Sequence, residues 1–67
     1  MADLFDARAV PLHEQLACAE REVKFRIRVY ARRVIDGKMT QAQSDREIAA
    51  MKAILETLQR LQRREAA

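Results

Sequence analysis

Asp36-Gly37-Lys38-Met39-Thr40 separates a basic helical run from a heptad-like one, and this stretch decides the fold. Gly37 is the only glycine in the chain, and it falls where the first apolar periodicity stops. Lacking a Cβ, it can take the left-handed conformation that closes a helix. Thr40 then stands where it can cap a second helix, with Gln43 placed to reach back as in a capping box. Stop and start signals this close together predict two antiparallel helices joined by a turn over 36–40.

Upstream of the turn, helix 1 is predicted over about 11–35. Its apolar positions Leu12, Leu16, Ala19, Val23, Ile27, Tyr30 and Val34 step by three or four residues, which places them on one face. Tyr30 is expected to bury its ring near the hairpin end and keep its hydroxyl wet. Pro11 suits the first turn of a helix, whereas Val10 is a poor cap. Residues 1–10 hold Leu4, Phe5 and Val10 without a sustained period, so they read as a flexible arm with a turn near Asp3–Asp6. Phe5 is the residue of that arm best suited to dock on a partner subunit.

Downstream, helix 2 is predicted over about 41–64. Met51, Ile54, Leu58 and Leu61 follow an a/d pattern, flanked by Ile48 and Leu55. That stripe is wider than one partner helix can cover, so Ile48, Met51, Ile54, Leu55, Leu58 and Leu61 are the expected oligomer core. The fold class is therefore all-α: a two-helix hairpin, expected to dimerise into a four-helix bundle.

Length supports the same expectation. With 67 residues there is room for one domain, and a domain of about 60 residues buries only ~60% of its unfolded surface. Chains this small gain stability from disulfides, metal or self-association. One cysteine excludes an internal disulfide. Cys18 has only His13 nearby as a co-ligand, at i, i+5, whereas a zinc site needs about four ligands. No metal and no other cofactor is expected, which leaves a homodimer. A free cysteine fits a reducing cytosol. There is no signal-peptide core and no apolar run near the ~18 residues of a membrane span, so the chain is expected to be cytoplasmic.

Catalysis is not expected either. His13 and Ser44 are the only histidine and serine, and they fall at opposite ends of an antiparallel hairpin. Asp45 and Glu47 lie in a helix N-terminal turn, where the helix dipole explains carboxylates. No glycine-rich phosphate loop or paired-cysteine motif is present.

Charge supplies two binding hypotheses. The net charge of +3 and pI near 9.6 permit anionic partners without demanding them. Several bases have a glutamate one turn earlier, as in Glu20–Lys24, Glu22–Arg26 and Glu56–Arg60, and such pairs neutralise charge locally. Arg60, Arg63 and Arg64 complement the dipole of helix 2. On the back of helix 1, Arg21, Lys24, Arg28 and Arg32 cluster on one side of the wheel. Those four are candidate contacts to nucleic acid or to an acidic protein. The absence of asparagine narrows base readout to arginine, lysine or glutamine. Beside them Cys18, Phe25 and Val29 form a second apolar strip, the candidate protein-interaction site, flanked by arginine stems.

Arg21-Glu22, Arg26-Ile27-Arg28-Val29-Tyr30, Arg33, Gly37-Lys38-Met39-Thr40, Asp45, Glu47-Ile48-Ala49, Met51, Ile54 and Leu58 together carry a likeness. Over this stretch the chain resembles a family of small proteins encoded in bacterial prophages and phage genomes. In that family a proline often follows the tyrosine and an aromatic comes shortly after. Ala31 and Arg33 stand at those places here, so helix 1 is expected to run straighter. The resemblance implies a phage origin, a bacterial cytoplasmic setting and no reaction. The expected role is an adaptor or modulator of a host or phage protein, with nucleic-acid binding as the alternative.

Overall fold

The computed structural model describes residues 6–66. Two helices, α1 (Leu12–Ile35) and α2 (Gln41–Ala66), pack against each other as an antiparallel hairpin behind a short 3-10 turn at Ala7–Ala9. Both helices begin within a residue of their sequence-derived starts. α2 runs two residues past position 64, because nothing in Glu65-Ala66 interrupts a helix.

The connection is a complete stop-and-start device. Gly37 has φ +72°, and around it the Lys38 N–H donates to the Arg33 carbonyl at 2.9 Å and the Gly37 N–H to the Val34 carbonyl at 3.1 Å. These two bonds are the Schellman pair, and they satisfy carbonyls that the end of α1 leaves open. On the far side, the Gln43 N–H donates to Thr40 Oγ1 and the Thr40 N–H donates to Gln43 Oε1, each at 3.0 Å. This is the reciprocal capping box, so four orphan backbone groups find partners between Arg33 and Gln43.

Ahead of α1 the chain is more structured than its sequence suggests. Asp3, Leu4 and Phe5 lie outside the described residues. The turn that is described lies at residues 6–10, where Asp6 Oδ1 accepts from the Arg8 backbone N–H at 2.9 Å and its carboxylate pairs with the Arg8 guanidinium at 2.9 Å. The same contacts hold the Asp6 carboxyl below its usual range. Pro11 is the N-cap of α1 rather than its first residue and offers no side-chain cap. Gln15 donates its side-chain amide to the Val10 carbonyl at 3.0 Å and so ties the first turn of α1 to the chain ahead of it.

The hairpin has little interior. Leu16, Ala19 and Val23 of α1 are buried, and α2 buries only Ser44. Small Ala19 and Ser44 let the two backbones approach. Leu12, Tyr30 and Val34 of α1 and Ile48, Met51, Leu55 and Leu58 of α2 are half-buried around them. Ile27 breaks the predicted stripe and remains 47% exposed. It sits on the α1 flank away from Met51 and Ile54, where no helix covers it. The Cα atoms span only 14 Å in the thinnest direction. That is one layer of helices, whereas packed domains have at least two.

Candidate functional site

Periodicity assigns one exposed apolar strip to each helix, and the fold brings the two strips to the same side of the hairpin. In an antiparallel pair, positions displaced in the same sense from each helix's contact line share one face. On α1 this face carries Gln15, Cys18, Glu22 and Val29. On α2 it carries Met51, Ile54, Leu58 and Leu61. Towards the open end these flanks border a groove lined by Val10, Cys18, Glu22, Met51, Ile54 and Leu58. Ile54 is 51% and Leu61 42% exposed, though both belong to the a/d pattern of α2.

Cys18 is a free thiol at this groove. Val29 is half-buried on the same flank, nearer the turn, and Phe25 lies at its outer rim, 44% exposed and next to the arginines. Cys18 and Phe25 are thus not equivalent. One lines a groove between helices, and the other projects from the edge of α1.

The basic run divides more sharply. Arg26 is turned inward: its Nε pairs with Glu22 Oε1 at 3.0 Å, and its Nη1 donates to the Glu47 carbonyl at 2.9 Å and lies 3.5 Å from the Glu47 carboxylate. Glu22, beside it, raises the affinity of that guanidinium for its proton. Tyr30 lies between two guanidinium carbons, with Arg26 at 5.9 Å and Arg33 at 5.5 Å from the ring centroid, within cation–π range. Arg32 pairs with Asp36 at 3.5 Å. Arg21, Lys24 and Arg28 make no ion pair with a described residue, and all three are exposed along the outer side of α1.

Of the three helical charge pairs read from spacing, Glu22–Arg26 forms. Glu20–Lys24 and Glu56–Arg60 do not close, and Arg60 donates instead to the Thr57 hydroxyl at 3.1 Å. Both open pairs are solvated, so fixing two long side chains gains too little to hold them. His13 is exposed, whereas Ser44 is buried between the helices near the turn. No group of three potential metal-binding side chains clusters among the described residues. No described helix is long and apolar enough to cross a membrane.

Sequence spacing alone does not identify the Glu47 carbonyl as a partner of Arg26, or Val10 as part of the groove. Both depend on the register between helices, which the turn sets and neither periodicity contains. Comparison with protein-family models, curated proteins and solved structures finds no match to this chain.

Proposed function

We propose that this chain is a non-catalytic interaction protein of phage type. It pairs with a second copy as a four-helix bundle and modulates a host or phage protein in the bacterial cytoplasm by occupying its surface. The observation that carries this reading is the single apolar face shared by α1 and α2. Ile54, Leu61, Phe25 and Cys18 are exposed on or beside it, and a contiguous apolar patch of this kind marks an interaction site. Phe25, with Arg21 and Arg28 beside it, is suited to an acidic protein partner, the arginines steering encounter and the ring filling a pocket.

A pull-down from host lysate, with and without nuclease, tests the reading. A protein captured equally in both arms and lost with Phe25→Glu supports it. Capture that disappears on nuclease treatment favours nucleic-acid binding instead. The observation behind that second reading is the ridge of Arg21, Lys24 and Arg28. Three unpaired bases are a small phosphate footprint, and Arg26, Arg32 and Arg33 already have partners within the chain. Protein binding is therefore the better-supported reading.

A further inference from the structure

The groove at the open end of the hairpin has a wall of large apolar residues on α2 and, on α1, a run of small residues bordered by longer polar ones. α2 supplies Met51, Ile54 and Leu58, with Leu61 one turn further along. α1 supplies Ala17, Cys18 and Ala19 between Glu14, Gln15, Arg21 and Glu22. A surface that offers both knobs and a channel for them is complementary to itself.

Area sets the size of what must cover it. The chain exposes 5700 Å², whereas a compact folded monomer of its 7.8 kDa is expected to expose about 4,400 Å². The excess of about 1,300 Å² exceeds the ~800 Å² that each partner contributes to a standard interface. The slab is also one helical layer thick, so a second hairpin laid on this face supplies the missing layer.

We infer that the open-end groove is the seat of a second copy of this chain. A two-fold axis lying in the interface and parallel to the helices lays Ile54, Leu58 and Leu61 of each copy over the small residues at Cys18 of the other. This deepens, and rests on, the proposed interaction function. It assigns Cys18 to the seam between copies and leaves Phe25 at the rim, free for a different protein. An axis in the interface but perpendicular to the helices stacks α1 on α1 and α2 on α2, and an axis normal to the face leaves the copies side by side in one layer, so neither pairs the large wall with the small one.

The test is light scattering on the full chain at micromolar concentration, with helicity followed by circular dichroism. Wild type is expected at twice 7.8 kDa. Ile54→Asp, which buries a carboxylate in the seam, and Cys18→Trp, which fills the channel, should each return the single-chain mass with helicity kept. Phe25→Glu should keep the dimer mass. If either seam variant unfolds instead, the wild-type Tm must rise with protein concentration, and a concentration-independent Tm overturns the proposal. A monomeric wild type, or a dimer that survives both seam variants, also overturns it. The lysate pull-down separates the two failures. A monomer whose partner is lost with Ile54→Asp means that a different protein fills the groove, so the interaction function stands and the second copy does not. A monomer that captures nothing ends both.

Discussion

Arg26 on α1 donates through Nη1 to the main-chain carbonyl of Glu47 on α2 at 2.9 Å, while its Nε holds Glu22 at 3.0 Å. One side chain thus ties the two helices together roughly midway along the hairpin, in the register that the turn sets. Glu22, first among the neighbours, raises the Arg26 pKa. A raised pKa contributes stability in full below the unfolded value, so this contact is constant across neutral pH and lost only in strong alkali. Arg26→Met keeps the stem and removes the fork. It should lower stability by about 1 kcal/mol, the size of a partly solvated charged hydrogen bond. Urea unfolding checks this, and an unchanged midpoint would mean that the bond to Glu47 carries no net stabilisation.

The turn makes a separate prediction. A Cβ on Gly37 meets no atom within 4 Å, so the penalty there comes from φ +72° alone. Gly37→Ala should cost about 1 kcal/mol, and Gly37→Asn less, because asparagine tolerates the left-handed region. Thr40→Ala removes one half of the capping box and should also cost about 1 kcal/mol. Thermal melts of the three variants should rank Asn mildest. Equal losses for Ala and Asn at position 37 would point away from backbone strain.

These two sites differ in how far the sequence reveals them. The turn is legible because every signal in it is local: a lone glycine, a threonine, and a glutamine three residues on. Arg26 reads only as a partner of Glu22, since its contact with Glu47 depends on how the turn aligns the helices. Ile27 misleads for a related reason. Its spacing fits the core stripe, but a hairpin of two helices covers a narrower arc than the periodicity spans. The strip of Cys18 and the stripe of Ile54 likewise read as separate features until the register places both beside one groove.

Core substitutions should follow exposure rather than periodicity. Leu16 is buried, so Leu16→Ala removes contacts that the sparse interior cannot replace and should cost about 2–3 kcal/mol. Ile27 belongs to the same sequence stripe but is half-exposed, so Ile27→Ala should stay within roughly 0.5–1 kcal/mol. Denaturant melts of both at one protein concentration make the comparison. Equal losses would show that Ile27 is covered in solution by something other than α2.

Salt dependence separates a basic ridge from a basic helix. Counting all six bases from Arg21 to Arg33 as phosphate contacts gives a log–log slope near −5.4 on duplex DNA, at about −0.9 per contact. In the fold, Arg26 serves Glu22 and Glu47, Arg32 faces Asp36, and Arg33 lies against Tyr30. Only Arg21, Lys24 and Arg28 of the six are without such a partner, which limits the slope to about −2.7. Any DNA binding should therefore be weak and should fade within a modest rise in salt. Replacing those three residues with glutamine should flatten the dependence and leave the melting curve in place, because none of them touches the core. A measured slope near −5.4 would mean that Arg26, Arg32 and Arg33 abandon their intramolecular partners on binding. Nucleic-acid binding would then displace protein docking as the better reading of this helix.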